Sequence, residues 1–277
     1  MIVSAPASSA NLGSGFDCLG LALDLPFELC DAPADRPDWL VAEPTHPAVV
    51  AFRAAGGDPA AELRWRSPIP PGRGMGFSGA ARVAGAYLGA RLDGLEHDTA
   101  RQGAFVLASE LEGHADNAAA STLGGFTVAA GEHAVPVEAP DGLSVVVWWP
   151  EQSTSTTASR RVLAEQVPLR DAVGSIAGAA LWVAALGSGR LDLLRTACED
   201  RLHQPTRLAA RPDAAAVLAS FLGHEGVLAA WLSGSGPTIA ALVRDGDVTD
   251  EIVASPGADG HTRCVGVDRV GVVVTEP

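Results

Sequence analysis

The chain has 277 residues, 47% of them hydrophobic, and a formal net charge of −14. All of its 19 basic residues are arginine, which argues against nucleic acid or an anionic membrane as a partner, since both need a basic surface. The length suits one large or two medium domains with ample core, and the absence of lysine excludes a Walker-type phosphate loop.

The N-terminal MIVSAPASSANLG lacks a basic region followed by an apolar core, so it reads as no signal peptide. No apolar run is read as reaching the ~18 residues of a membrane span, and a cytoplasmic protein is expected. Cys18, Cys30, Cys198 and Cys264 form no CxxC pair; reduced, mostly buried thiols are expected. The seven histidines show no metal-ligand spacing.

In chain order, residues 1–5 and 18–30 read as strands around the turn-rich SSANLGSGFD. A short helix is expected near 47–55, a strand near 62–66, and helices over about 78–92 and 98–111. GHADNAAASTLGG reads as a further short helix closed by Gly124 and Gly125, turning into a strand at GGFTVAA. LSVVVWWP at 143–150 reads as a buried strand, with a domain boundary near 140 at APDG. Helices are expected over 171–187, 190–203 and 212–222. GVLAAWL and TIAALV flank a tight SGSG turn as two strands, and GVDRVGVVV closes the sheet. Strands and helices without strict alternation favour α+β over a doubly wound sheet. Trp148, Trp149, Trp182 and Trp231 are read as core.

One stretch carries chemistry of its own. PPGRGMGFSGAA at 70–81 is a glycine-rich loop running into an alanine-rich helix. Glycines let backbone curl around an anion, and the unpaired N–H groups of a first helical turn point at it. Ser78 reads as an N-cap. Without lysine, a polyanion site here must use backbone N–H groups, arginine and a divalent cation.

Taken with PASSANLGSGFDCLGLAL at 6–23, ELEGHADNAAASTLGG at 110–125, TTASRRVL at 156–163, EDRLHQPTR at 199–207 and LSGSGPTIAAL at 232–242, this loop resembles the homoserine kinases of the GHMP kinase superfamily. The resemblance runs from residue 3 to about residue 242. It implies an N-terminal domain (1–140) like the second domain of ribosomal protein S5 and a ferredoxin-like C-terminal domain (141–277). It implies ATP and Mg²⁺ as cofactors, and phosphorylation of the hydroxyl of L-homoserine to O-phospho-L-homoserine for threonine biosynthesis. Gly72, Arg73, Gly74, Met75, Gly76, Phe77, Ser78 and Gly79 would hold the ATP phosphates. Where such kinases usually show two serines, this chain has Phe77 and Ser78, so one hydroxyl near the phosphates is replaced.

The same resemblance makes Glu112 and Ser78 the Mg²⁺ ligands. Asn117 stands where other superfamily branches place a basic aspartate; an amide cannot take a proton, so catalysis would rest on positioning and charge. Asn11, Asp17, His114, Thr156, Arg160 and Arg207 correspond to acceptor-binding residues, with Asp17 suited to an ammonium and the two arginines to a carboxylate. SGSGPT would steady the phosphate loop. Partners are then an amino acid and ATP, with no nucleic acid or membrane, and a homodimer is allowed. A kinase for another hydroxy acid (pantoate or shikimate) and a catalytically silent nucleotide- or metabolite-binding homologue are the alternatives.

Overall fold

A computed structural model describes residues 1–31, 38–248, 250–254 and 259–276. Two long strands, β1 (Ile2–Ala10) and β2 (Leu19–Cys30), begin the chain. They pair antiparallel from Ile2↔Cys30 to Ala10↔Gly20, with a register shift between Pro6 and Ala7. Then come β3 (Leu40–Val41), α1 (Pro47–Ala54) and β4 (Arg64–Arg66). His46 caps α1, its side chain accepting from Ala48 N, with Pro47 in the first turn. α2 (Phe77–Leu92), α3 (His97–Glu112), α4 (Asp116–Leu123), β5 (Phe126–Ala130) and β6 (His133–Val137) follow.

The second sheet opens with β7 (Leu143–Trp149). After it come α5 (Thr156–Arg161), α6 (Leu169–Ser188), a 3-10 turn at Leu191–Leu193, α7 (Leu194–Ala197), α8 (Gln204–Ala209) and α9 (Pro212–Gly223). β8 (Val227–Leu232), β9 (Ile239–Arg244), α10 (Asp250–Ala254), β10 (His261–Gly266) and β11 (Val273–Glu276) complete the chain. The first sheet runs β11-β1-β2-β4-β3, with β5 also on β2 and β6 on β5; the second runs β10-β7-β9-β8. Because β11 pairs with β1, the chain's last strand returns to the first sheet.

α2 is the central helix. Its residues from Gly79 to Ala90, save Arg82, are buried, as expected of a helix packed on every side. Small residues make that possible: a Cβ on Gly85 would lie 2.0 Å from Ala48 O of α1. The helix that follows the glycine-rich loop is therefore seated in the core, between the first sheet and α1, α3 and α4.

Several sequence expectations change. The helix expected over 190–203 is broken, because the Asp200 carboxylate accepts from the backbone N–H groups of Leu202, His203 and Gln204 and starts a new helix, α8. β6 and β10 were not expected; both are short strands at sheet edges whose side chains are mostly exposed or half-buried. α6 is long and apolar enough to cross a membrane by length and composition, with a mean hydropathy of 1.4, contrary to the reading that no run approaches that length. Its Ser175, Gly178, Trp182, Ala185 and Leu186 are buried against the rest of the protein. Trp148, Trp182 and Trp231 are core, whereas Trp149 is half-buried and stacks on His261. None of the four cysteines forms a disulfide.

Candidate active site

A cleft of about 170 Å³ lies where the phosphate loop, the end of β1, the α3–α4 turn and the α5 and α8 regions converge. Of the residues singled out in the sequence, only Met75 and Gly79 stand back from its wall.

The shape of the glycine-rich loop depends on its glycines. Gly72, Gly74 and Gly76 all have left-handed backbone (φ +67°, +79° and +67°). A Cβ on Gly76 would lie 2.0 Å from Ser8 Oγ, and one on Gly74 would lie 2.4 Å from Ser233 O. α2 begins at Phe77, so Gly76 occupies the cap position and no side chain caps the helix. Ser78 is thus the second helical residue and not the N-cap, because close approach to β1 reserves the cap for glycine. The first-turn N–H groups are left facing the cleft, where an anion can take them.

Arg73 does not spend its guanidinium on the cleft. Its Nε and Nη2 donate to the carbonyls of Pro150 and Glu151, and Nη1 to Pro71 O. The buried Met75 side chain (1% exposed) anchors the loop in the core. The SGSGPT turn grips the loop from the other side: Ser233 Oγ donates to Gly74 O (2.6 Å), and Thr238 N and Oγ1 both donate to Arg73 O. Phe77 turns its ring away into a cluster, edge-on to Trp65 (5.4 Å), Phe27 (5.5 Å) and His46 (6.0 Å).

The acidic wall follows. Glu112 ends α3, where left-handed Gly113 stops the helix. His114 Nδ1 donates to Asp116 Oδ1 (2.8 Å), and its Nε2 lies 3.6 Å from Glu112 Oε2. Asp116 Oδ1 also accepts from Asn117 N (2.7 Å) and Nδ2 (3.2 Å), while Asn117 Oδ1 accepts from Ser8 Oγ (2.9 Å). The Asn117 amide is thereby fixed in one orientation. Gly79 faces it: a Cβ there would lie 3.1 Å from Asn117 Cβ, so glycine lets α2 and α4 approach.

The third wall carries opposite charges. Arg160 donates through both Nη atoms to the two Asp17 oxygens, each at 2.7 Å. Asn11 and Asp17 hold left-handed backbone (φ +74° and +59°), with Asn11 Oδ1 accepting from Asp17 N and Asn11 Nδ2 donating to Gly234 O. Arg207 is only 7% exposed. Its Nη1 donates to Gly234 O (3.0 Å) and His203 Nδ1 (3.1 Å). Because His203 Nε2 donates to Gly13 O (2.9 Å), its Nδ1 is free to accept. Arg160 and Arg207 both lie over the Phe16 ring, at 5.5 and 5.4 Å. Burial, with the Arg160 charge second, lowers the Arg207 pKa, and its buried Nε has no hydrogen-bond partner among the described residues. A buried cation with an unsatisfied donor is a seat for an anion. Thr156 Oγ1 lies 3.3 Å from Ser235 Oγ at the rim.

Sequence reasoning passed over Asp116 and Thr154, and read Gly234 and Ser235 only as part of the supporting SGSGPT turn; all four line the cleft. Asp116 stood inside the HADN motif, and only its burial (2% exposed) distinguishes it from a surface carboxylate.

An uncapped helix N-terminus opposite a carboxylate, beside a paired cation and anion, offers seats for a phosphorylated ligand and for a small charged one in the same cleft. The chain belongs to the GHMP kinases, ATP-dependent enzymes whose N-terminal domain pattern matches residues 43–125 and whose C-terminal pattern matches residues 182–259. It is 41% identical to a homoserine kinase of Thermus thermophilus over 95% of this chain and 94% of that one. It is 38% identical to a homoserine kinase of Streptomyces coelicolor over 98% and 93%. The fold matches that of a homoserine kinase from Cytophaga hutchinsonii with a TM-score of 0.83 at 24% identity, covering 99% and 96% of the two chains.

Proposed function

We propose that this protein transfers the γ-phosphoryl group of ATP to the hydroxyl of L-homoserine, giving O-phospho-L-homoserine and ADP. The observation that carries the acceptor is the Asp17–Arg160 pair beside Arg207. Asp17 and Arg160 satisfy each other through two charge-assisted bonds. A zwitterion can exchange that one pair for two, its ammonium on Asp17 and its carboxylate on Arg160 and Arg207. A hydroxy acid without an ammonium would leave Asp17 unpaired, a penalty of the kind that makes polar sites selective. The names of the full-length relatives agree with this reading.

The N–H groups of the first turn of α2 hold the phosphates. Ser78 and Glu112 offer hard oxygen donors on the same cleft, which fits Mg²⁺. Among the described residues no three His, Cys, Asp or Glu side chains are grouped to hold a metal unaided, so the ion would come with the nucleotide. When bound, it supplies charge neutralisation on the phosphoryl oxygens. The acceptor oxygen would bond to the γ-phosphorus as the bond to the ADP oxygen breaks, and the hydroxyl proton would pass to an oxygen of the transferred phosphoryl group, with the ADP oxygen leaving as the anion. Asn117, locked between Ser8 and Asp116, positions and donates; it removes no proton. A division near residue 140 fits this scheme, with the phosphate loop and Glu112 before it and Thr156, Arg160 and Arg207 after it.

Labelled ATP offered with L-homoserine, pantoate and shikimate in parallel tests the reading. Label should pass to homoserine; preferential labelling of either hydroxy acid refutes the acceptor assignment. Nucleotide binding without transfer to any acceptor would favour the silent homologue.

A further inference from the structure

Glu112 is not free in this cleft. Arg82, one helical turn after Ser78 on α2 and so on the same side of the helix, places its Nη1 on Glu112 Oε1. Both side chains are withdrawn from water, 22% and 8% exposed. Arg82 Nε and Glu112 Oε1 are both buried without a hydrogen-bond partner among the described residues, and the two side chains meet as a close ion pair. Glu112 needs a cation in turn. It ends α3, where the helix dipole disfavours a carboxylate, and the last turn of α3 contains no basic residue. Arg82 itself is not among the residues that line the cleft.

We propose that Arg82 is the resident counter-cation of Glu112, holding the carboxylate until Mg²⁺ arrives with the nucleotide and then yielding it. The inference rests on the reading that the cleft binds ATP with Mg²⁺ at Glu112. Its consequence is that Arg82 sets how strongly nucleotide binding depends on the metal. With Arg82 present, Glu112 is already neutralised, so metal-free ATP meets little repulsion and the metal must break a pair. Without Arg82, the bare carboxylate repels metal-free triphosphate and receives the metal complex unopposed.

Calorimetry of ATP binding in the absence of acceptor, once with Mg²⁺ and once with EDTA, tests this. In Arg82→Met the ratio of the two affinities should rise at least about fivefold, the lower bound of ordinary coupling between sites, with metal-free binding weaker and Mg²⁺-dependent binding tighter. In Glu112→Gln, metal-free ATP should bind more tightly than in wild type, and adding Arg82→Met to that variant should no longer raise the ratio. If Arg82→Met does not fold, Glu112→Gln alone decides. A lowered melting temperature with an unmoved ratio means that the pair merely ties α2 to α3, and overturns the proposal. Wild-type protein that binds ATP in neither condition overturns the nucleotide site itself.

Discussion

Replacing Phe77 by serine separates two roles that its position allows. If the side chain faces the phosphates, serine restores a hydroxyl and tightens ATP binding by about 1.5–3 kcal/mol, roughly ten- to a hundredfold. In the structure the ring instead packs edge-on against Phe27, His46 and Trp65 at 5.4–6.0 Å. Truncating a fully buried phenylalanine costs about 3–5 kcal/mol, and Phe77 is half-buried, so about 2–3 kcal/mol is expected. At ~2–4 °C per kcal/mol for a chain of this size, the melting temperature should fall by roughly 4–12 °C. The urea midpoint should fall with no change in slope, since the unfolded surface is the same. ATP affinity should move less than about threefold, because the backbone donors of Gly76–Ser78 do not depend on that side chain. A tenfold gain in ATP affinity with an unmoved urea midpoint would refute the packing assignment.

Arg207→Ala should raise KM for homoserine by ~30-fold or more, the equivalent of about 2 kcal/mol or above for a buried charge contact, and leave KM for ATP within about threefold; equal effects on both substrates would remove Arg207 from the acceptor seat. Glu112→Gln should lower kcat by roughly 10²–10³, the scale of a lost electrostatic contact to the transition state, with an intact circular-dichroism spectrum; near-normal turnover in the folded variant would take Glu112 out of the reaction. Burial holds the His203 pKa below its ordinary value, so the unfolded chain takes up the proton first as pH falls. The stability tied to neutral His203 is therefore complete above about pH 6.5 and is lost as pH drops toward the lower folded value. His46, also lowered by burial, acts with the same sign, so urea titrations of His203→Gln should show a shallower acid slope than wild type, and an unchanged slope would show that His203 is not held neutral.

What the sequence determined by itself is local. The glycine-rich loop and the helix after it, the HADN turn and the SGSGPT turn are signals carried by neighbouring residues. Backbone preference and apolar periodicity act over a few positions, so α2, α3, α9 and β7 were legible from them. Tertiary structure decided whatever needs distant partners. Asp17 and Arg160 are 143 positions apart, and no spacing rule announces that they satisfy each other. Arg73 reads as a phosphate ligand until Pro150 and Glu151 are seen to take its guanidinium. Ser78 reads as an N-cap until Ser8 is found against Gly76. Phe77 reads as a missing hydroxyl until Phe27, His46 and Trp65 surround its ring. The edge strands β6 and β10 are short and mostly exposed, so no buried-strand run marks them, and it is pairing with β5 and β7 that makes them strands. A side chain's direction is set by the cavity and the charges left for it after the chain folds, and those come from elements far away in sequence.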